Sequence, residues 1–460
     1  MTTTANSELE TFLQRHPDIK MLEVLMPDMN GILRGKRIPR DEARALFAGN
    51  VKCCASVPLC NSAGEIIDDI VIGTIDGDPD ALIFPVINTL APIPWLTSAT
   101  AQVLVSCANL DGSPSGFDPR NILRRVLGFL HELGLKPVVA TELEFYLLEQ
   151  CDGPAPRIKL GAIPGTGLKQ SGTQYAMPED LWDHDEFLED VRKACELQHV
   201  PMTTVHSEFS PGQYEINLHH VDSPLLACDH AVLLKRIVKG VARQHGMAAS
   251  FMAKPFTAMA GCGLHIHTSV YDAQGDNIFV DPESHLTPAI SARMRYAIGG
   301  LAETMADAMA IFVPNANSYR RLQPKNFVPL TPNWGYNHRS VALRISVAGP
   351  QDMRVEHRVA GADANPYLVM AAVMAGIHYG LTQLCDPGEM IAEGCVMEEE
   401  KITLPTRWET ALELFDNSEF MRHYLGEEYF TLFAKVRRNE CNEFQSQVSN
   451  LDYQWYLRAV

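Results

Sequence analysis

The chain has 460 residues, of which 46% are apolar and 20% are charged, and this balance excludes an intrinsically disordered protein. Its net charge of −18 disfavours nucleic acids and anionic membranes as partners, because both repel an acidic surface. The sequence has no membrane-length apolar run and no signal pattern, and its eleven cysteines include no Cys-x-x-Cys pair, so we expect a cytoplasmic protein in a reducing compartment.

Short β-like runs predict a small β-rich domain at the N-terminus. A stretch dense in Gly, Pro, Ser and Asp, residues 109–119, follows these runs and marks a domain boundary. The predicted strands before this boundary are Met21–Leu25, Ile66–Val71, Ala81–Pro85 and Gln102–Cys107.

After the boundary, strands and helices alternate. Asp118 as a cap and Pro119 in the first turn predict a helix that Gly134 can end. Residues 149–180 form a long connection whose role the sequence leaves open. The predicted strands are Lys136–Leu148, Thr203–Leu218, Leu264–Val270, Val341–Val347 and Met353–Val359, and the further predicted helices are Asp185–Gln198, Asn365–Gly380 and most of Trp408–Leu457. The order lacks a strict βαβ repeat, so the predicted fold class is α+β.

Two carboxylates stand in an otherwise apolar strand. Glu142 and Glu144 are two residues apart, so both side chains point to one face of the strand. Unpaired, they would be costly to bury. A divalent cation could neutralise them, and so could nearby Lys or Arg side chains.

Acidic and imidazole side chains recur in the later strands. Glu208 and Glu215 flank a break at Pro211-Gly212, His265 and His267 share one strand face, and Glu356 lies between two arginines. A lone histidine in a strand is more often a core residue than a metal ligand. Here four strands carry acidic or imidazole side chains among apolar residues, which weakens that alternative. This oxygen-rich set suits Mg²⁺ or Mn²⁺ better than structural zinc.

Arginines form the complementary half of the pattern. Guanidinium groups bind phosphate and carboxylate in bidentate fashion, and phosphoryl transfer uses them beside divalent metals. Structural ion pairs with the same glutamates are the alternative. A P-loop is not expected, because no segment has the required spacing. The arginines are Arg320, Arg321, Arg339, Arg344, Arg354 and Arg358.

Seven short motifs, in order along the chain, resemble the glutamine synthetase family. They are Thr141-Glu-Leu-Glu-Phe-Tyr-Leu, Gly212-Gln-Tyr-Glu, Ala249-Ser-Phe-Met-Ala-Lys-Pro, Gly263-Leu-His-Ile-His, Asn317-Ser-Tyr-Arg-Arg-Leu, Asn337-His-Arg-Ser and Asn365-Pro-Tyr. The resemblance implies an N-terminal β-grasp domain over residues 15–112 and a larger α/β catalytic domain over residues 117–460. It also implies a homo-oligomer, a dodecamer of two stacked hexameric rings, with active sites between adjacent subunits.

The resemblance also assigns roles to individual residues. It implies at least two Mg²⁺ or Mn²⁺ ions per active site, with ATP as co-substrate. One metal site would be Glu144, Glu208 and Glu215, and the other Glu142, His265 and Glu356. ATP contacts would be His267, Ser269, Arg339, Arg344 and Arg354, glutamate contacts would be Gly261, Arg321 and Arg358, and Arg339 and Glu356 would be catalytic. In the implied reaction the γ-carboxylate of glutamate attacks ATP, and an amine then displaces phosphate from γ-glutamyl phosphate.

The departures from the family pattern concern the amine. Ammonia-using members carry an Asp-Gly-Ser-Ser motif that residues 51–64 lack, and a flap glutamate where Phe327 stands. An asparagine of the glutamate site is replaced by Ala260. The loss of two acidic groups disfavours ammonium and favours an alkylamine. The segment from Asn333 to Ser340 is also similar to the γ-glutamylpolyamine synthetase branch.

Three aromatic residues are candidates for an amine pocket. Phe327, Trp334 and Tyr336 could bind an amine through cation–π contacts, with plain packing as the alternative. The predicted activity is an ATP-dependent ligase that joins glutamate to a primary amine, first of all a polyamine, in polyamine catabolism. The alternatives are a γ-glutamyl-monoamine or ethanolamine synthetase, a true glutamine synthetase, and a non-catalytic assembly or regulatory member.

Overall fold

The computed structural model describes residues 2–151, 153, 155–283, 288–324, 327–346, 349, 352–394 and 402–460. The strands are β1 (Met21–Pro27), β2 (Leu33–Pro39), β3 (Lys52–Cys54), β4 (Asp80–Pro85), β5 (Ala91–Pro92), β6 (Thr100–Ala108), β7 (Lys136–Glu149), β8 (Met202–Ser207), β9 (Gln213–Leu218), β10 (Met247–Ser250), β11 (Leu264–Tyr271), β12 (Trp334–Tyr336), β13 (Leu343–Ile345) and β14 (Val355–His357). The helices are α1 (Thr2–Arg15), α2 (Ala43–Phe47), α3 (Pro119–Glu132), α4 (Pro178–Trp182), α5 (Asp185–Leu197), α6 (Pro224–Gln244), α7 (Ala292–Thr304), α8 (Met309–Phe312), α9 (Ala316–Tyr319), α10 (Pro366–Gln383), α11 (Trp408–Asp416), α12 (Glu419–Leu425), α13 (Glu427–Ser446) and α14 (Asn450–Tyr456).

The N-terminal strands form one sheet in the order β2-β1-β6-β4-β3, with β5 paired to β6. Strand β1 runs parallel to β6 and antiparallel to β2. Apolar side chains of β1 and β6, including Val24 and Val103, are buried together with Leu9 and Leu13 of α1. The N-terminal layer therefore includes helix α1, and the domain boundaries at 15–112 and 117–460 stay a prediction.

The second sheet has the order β12-β13-β14-β11-β7-β9-β8, with β10 also paired to β7. Its central strand β7 is antiparallel to both β11 and β9. Odd-numbered residues of β7, such as Val139, Leu143 and Phe145, are buried in the main core with apolar residues of helices α6 and α10. Even-numbered residues, including Glu142 and Glu144, therefore point to the opposite and more open face.

Two predicted helix starts have the expected caps. The Asp118 carboxylate accepts a hydrogen bond from Arg120 N, and the Asn365 side chain accepts one from Tyr367 N, each just before a proline. Gly134 follows α3 with a φ of +70°, a conformation that glycine adopts easily. Helices and two sheets together confirm the α+β class. Within the described residues, no helix combines the length and apolar character needed to cross a membrane.

The strand predicted for Ile66–Val71 is wrong. Asp68 and Asp69 form a turn, and residues 66–70 have irregular backbone. Ile67 and Ile70 are buried against Val436 of α13, so their apolar character reflects packing on a helix. Strands β13 and β14 are also shorter than predicted, and Val347 lies outside the described residues.

Candidate active site

The candidate site is a row of polar side chains across one face of the second sheet. Glu142 of β7 pairs with His265 of β11, and Glu144 pairs with Glu215 of β9. Glu356 of β14 pairs with His267 of β11 and with Arg344 of β13. Paired residues in neighbouring strands point to the same side of a sheet, so this register brings together residues that are far apart in sequence.

The first acidic cluster consists of Glu142, His265 and Glu356, whose potential ligand atoms all lie within 4.8 Å of one another. His265 Nδ1 is 3.2 Å from Glu142 Oε2 and 3.7 Å from Glu356 Oε1. Burial opposes ionisation of Glu142, but His267 and His265 outweigh it and lower the pKa of this carboxyl. These are the three residues predicted for one of the metal sites.

Two arginines flank the buried carboxylate of Glu356. This residue is 1% exposed, Arg344 Nη1 donates to its Oε2 at 2.8 Å, and Arg358 Nη1 donates to its Oε1. Burial opposes ionisation, but Arg358 and His267 bring the pKa of Glu356 down to about 2. The Nε atoms of both arginines are buried and lack a partner in the described structure. These Nε–H groups are spare donors for an anionic ligand.

The second acidic cluster is Glu144, Glu215 and His265, again with ligand atoms within 4.8 Å of one another. The prediction had Glu208 rather than His265 with these two glutamates. Glu208 follows the end of β8, and burial together with the charge of Glu144 raises its pKa to about 7. Burial and the charge of Glu142 raise the pKa of Glu215 to about 9.

The donor chemistry fits divalent cations. Burial raises the pKa of both Glu208 and Glu215, and the charges of Glu142 and Glu144 add to this rise. Hard divalent ions such as Mg²⁺ and Mn²⁺ prefer carboxylate oxygens, and one imidazole is compatible with this set. The residues present therefore fit a metal pair, with His265 between the two clusters.

Three of the predicted ATP contacts line a cavity of about 400 Å³ beside Glu142. They are His267, Ser269 and Arg354. Arg354 Nε lies 3.3 Å from His267 Nδ1, and the other ring nitrogen of His267 lies 2.8 Å from Glu142 Oε1. The cavity therefore joins the first cluster directly.

The other two predicted ATP contacts lie near acidic residues of the candidate site. Arg344 is the partner of Glu356, and Arg339 is exposed and lies close enough for its charge to oppose the pKa rise of Glu208. Neither of them lines the cavity. The nucleotide roles of all five residues, and the catalytic roles of Arg339 and Glu356, stay a prediction.

The predicted glutamate contacts Gly261 and Arg321 lie against each other. A Cβ at Gly261 would lie 2.7 Å from Arg321 Cγ and 2.6 Å from Ala253 O, so only glycine fits without a shift. Arg321 is 5% exposed, donates to Val359 O at 2.8 Å, and keeps its Nε without a partner in the described part of the chain. Burial lowers the pKa of Arg321, and the nearby charge of Arg358 adds to this.

Sequence analysis missed two glutamines that support the site. Gln213 Nε2 donates to Gly261 O at 2.9 Å and to Glu144 Oε2 at 3.3 Å. Gln174 Nε2 donates to Gln213 O at 2.5 Å, and its Oε1 accepts from Gly212 N at 2.9 Å. The Gly212-Gln-Tyr-Glu motif is the only sequence signal for Gln213. Gln174 anchors the connection at 149–180 to the turn between Glu208 and Glu215.

The three aromatic candidates for an amine pocket differ in exposure. Trp334 is 1% exposed in the main core and donates from Nε1 to Pro387 O at 3.2 Å. Tyr336 is partly buried against the same core. Phe327 is 69% exposed and has a φ of +52°, which a bulky residue rarely adopts. Trp334 therefore has the surroundings of a packing residue, and the amine roles of all three stay a prediction.

Comparisons with known proteins agree with this geometry. Residues 116–456 match the glutamine synthetase catalytic domain. The chain is 38% identical to gamma-glutamylputrescine synthetase PuuA of Escherichia coli (strain K12), over 98% of this chain and 94% of that protein. It is 30% identical to glutamate–isopropylamine ligase of a Pseudomonas species, over 98% of each chain. A solved structure of a GmaS/ADP complex superposes with a TM-score of 0.82 at 25% identity, over 99% of this chain and 100% of that one. The chain therefore belongs to the glutamine synthetase family, as its motifs predict.

Proposed function

We propose that this chain is an ATP-dependent ligase that joins the γ-carboxylate of glutamate to a primary amine through γ-glutamyl phosphate. The observation that carries the proposal is the pair of acidic clusters that meet at His265. Arginines with spare buried donors stand beside them. Mg²⁺ or Mn²⁺ held by these clusters would offset the negative charge of the ATP phosphates.

The chain's own residues would act mainly by positioning charge. Arg339, Arg344 and Arg354 would hold phosphate oxygens, with His267 and Ser269 lining the nucleotide cavity. A γ-carboxylate oxygen of glutamate attacks the γ-phosphorus of ATP, and the bond to the bridging oxygen of ADP breaks. The amine nitrogen then attacks the acyl carbon, phosphate leaves, and the nitrogen loses a proton.

Glutamate would be held beside the first cluster. Arg321 is buried and keeps a free Nε–H, so it can bind a carboxylate of glutamate next to the Gly261 backbone. Arg358 reaches both Glu356 and the neighbourhood of Arg321, which suits it to the same substrate. Gln213 donates hydrogen bonds to both Gly261 and Glu144, so it would fix the position of the glutamate site relative to the metal site.

We assign a polyamine as the amine substrate. The acidic groups that ammonia-using members place at the amine site are missing from residues 51–64 and from position 327. The Escherichia coli relative at 38% identity is named for putrescine, which supports a diamine or polyamine. The Pseudomonas relative is named for isopropylamine, so a monoamine is the second candidate.

Phosphate release tests the choice of amine. The assay contains glutamate, ATP and Mg²⁺ with putrescine, spermine, isopropylamine, ethanolamine or ammonium in turn. We expect the highest kcat/KM with putrescine or spermine, and a gain in ammonium use by Phe327→Glu, which restores an acidic flap. The assignment fails if ammonium gives the highest kcat/KM with the unaltered protein. Calorimetry should also detect Mg²⁺ binding that Glu144→Ala abolishes. If the unaltered protein shows neither turnover with any amine nor such metal binding, the result would favour a non-catalytic member.

We further propose a homo-oligomer, in the first place a dodecamer, with active sites completed by the N-terminal domain (15–112) of a neighbouring subunit. Helix α14 has no buried residue and exposes large apolar side chains, among them Leu451, Trp455 and Tyr456. Such a surface supports a contact with another copy. Light scattering measures the mass, and removal of residues 447–460 should lower it. Every cysteine in the described part is a free thiol, which supports a reducing cytoplasm.

A further inference from the structure

A second cavity, of about 890 Å³, lies between the N-terminal sheet and helix α6. One wall comes from β1, β2 and the segment around Trp95, and the other comes from α6 and Phe251. Among the residues that line it are none of the candidate metal, ATP, glutamate or amine residues. The cavity therefore needs an explanation of its own.

A stripe of basic residues on α6 faces this cavity. Lys235, Lys239 and Arg243 follow one another at intervals of four residues, which places them on one face of the helix. Like charges at this spacing destabilise a helix by about 0.2–0.5 kcal/mol per pair. Lys235 Nζ donates to Ala364 O at 3.1 Å, and in the described structure Lys239 and Arg243 have no ion-pair partner.

The carboxylates that line the cavity are already engaged by other groups. Glu23 accepts from both Arg37 and Arg236. Asp363 Oδ2 accepts from Asn315 Nδ2 at 2.8 Å and from Ser318 Oγ at 2.6 Å. Asp363 lies close enough to Lys235 for its charge to oppose the fall in that lysine's pKa. Lys239 and Arg243 have no carboxylate partner in the described structure, in a chain whose net charge is −18.

Burial and aromatic contacts fix the stripe in place. The ammonium groups of Lys235 and Lys239 lie 5.9 and 5.7 Å from the centroid of the Phe251 ring. Burial, followed by the charge of Lys239, lowers the pKa of Lys235 to about 7. A Cβ at Gly240 of α6 would lie 2.4 Å from the ring of Trp95 on the opposite wall, so glycine lets that ring close against α6. The cavity therefore has defined walls, and the side chains of Lys235 and Lys239 converge on one of them.

We propose that this cavity binds a small organic polyanion, whose phosphate or carboxylate groups neutralise Lys235, Lys239 and Arg243. The volume of about 890 Å³ is in the range of small-molecule sites. The aromatic rings of Trp95 and Phe251 offer apolar contact to the organic part of such a ligand. One wall belongs to the N-terminal sheet and the other to α6, so a bound ligand would also contact both and stabilise their packing.

Calorimetric titration of the full chain in metal-free buffer tests the site, with pyrophosphate and citrate as separate probes. The test variant is Lys239→Gln/Arg243→Gln. The control is Arg192→Gln/Lys193→Gln, which removes the same charge from the exposed face of α5. We expect saturable binding by the unaltered protein and the control, and at least tenfold weaker binding by the test variant. Tighter binding of pyrophosphate would identify a phosphate ligand, and tighter binding of citrate a polycarboxylate.

Three results would overturn the proposal. Equal binding of both probes by the test variant and the unaltered protein would place the anion elsewhere, for example at the catalytic arginines. A lack of saturable binding would exclude an anion site. A change in particle mass of the test variant, without anion binding by the unaltered protein, would mean that an acidic segment of a second copy fills the cavity. Lys239→Gln alone gives the same comparison if the double variant does not fold.

Discussion

Two carboxylates of the candidate metal site should differ in how much stability the protein loses when each is replaced by a neutral glutamine. Glu356 is 1% exposed and is the partner of both Arg344 and Arg358. A glutamine at this position keeps one acceptor but turns an amide NH₂ towards a guanidinium group. Removing one partner of a buried ion pair costs about 3–5 kcal/mol, because the remaining charge stays buried and unpaired. We therefore expect Glu356→Gln to lose about 3 kcal/mol of unfolding free energy or more.

Glu215 offers the matched comparison. Burial and the charge of Glu142 raise its pKa to about 9, so in the metal-free protein it is protonated at pH 7. Glutamine then replaces one neutral group by another of the same shape, and Asn217 can still donate to its oxygen. We expect a change below about 1 kcal/mol. The two variants should thus differ by about 2 kcal/mol or more, which is over tenfold in the unfolding equilibrium.

Urea unfolding of chelator-treated protein at pH 7, followed by tryptophan fluorescence, measures this difference. Circular dichroism reports whether both variants keep their secondary structure, and phosphate release reports their turnover. Both should lose turnover, since each loses a candidate metal ligand. Equal unfolding midpoints of the two variants would refute the reasoning, because the pairing of Glu356 with two arginines would then contribute nothing to stability.

Further substitutions test other parts of the structure. Arg321→Ala should raise the KM for glutamate more than the KM for ATP, and exposed Arg320→Ala should change neither. Glu142→Ala should abolish turnover while light scattering shows an unchanged particle. Burial lowers the pKa of His184 from 6.5 to about 4. Between these two pKa values the unfolded chain binds a proton at His184 and the folded chain does not. The free energy of unfolding should therefore fall by up to about 1.4 kcal/mol per pH unit as the pH drops from 6.5 to 4. In the variant His184→Phe, the unfolding free energy measured by urea titration should depend less on pH between 6.5 and 4.

Helix starts were predictable because their signals are local. Asp118-Pro119 and Asn365-Pro366 carry both the cap and the first-turn proline within two residues. The same signal at Ser223-Pro224 begins α6, which was not among the predicted helices. Strand β2, LRGKRIP, was missed because an exposed edge strand needs few apolar residues. The wrong strand at Ile66–Val71 shows the converse, since an apolar run does not reveal whether it packs on a sheet or a helix.

Strand parity alone predicted only part of the candidate metal site. It places Glu142 with Glu144 and His265 with His267, whereas the grouping of Glu142, His265 and Glu356 came from the resemblance to the family, and the structure brings these three together. The grouping of Glu144 with Glu215 depends on register across β7 and β9, and the position of Glu208 depends on the turn at Pro211-Gly212. Turn geometry is set by tertiary contacts that no local pattern contains, such as the hydrogen bond that Gly212 N donates to Gln174 Oε1.

The second acidic cluster and the basic stripe on α6 share one physical property. Each places like charges close together, and in the described structure neither Glu215 nor the pair Lys239 and Arg243 has an ion-pair partner, so a ligand of opposite charge should stabilise each site. A ligand that binds only the folded chain stabilises it by about 2.7 kcal/mol at a hundredfold excess over its Kd. No residue lines both the cavity beside Glu142 and the cavity at α6, so the two gains should be independent. Calorimetric Mg²⁺ affinity should consequently be the same for Lys239→Gln/Arg243→Gln as for the unaltered chain, whereas a tenfold change would mean that the two sites are coupled through the fold.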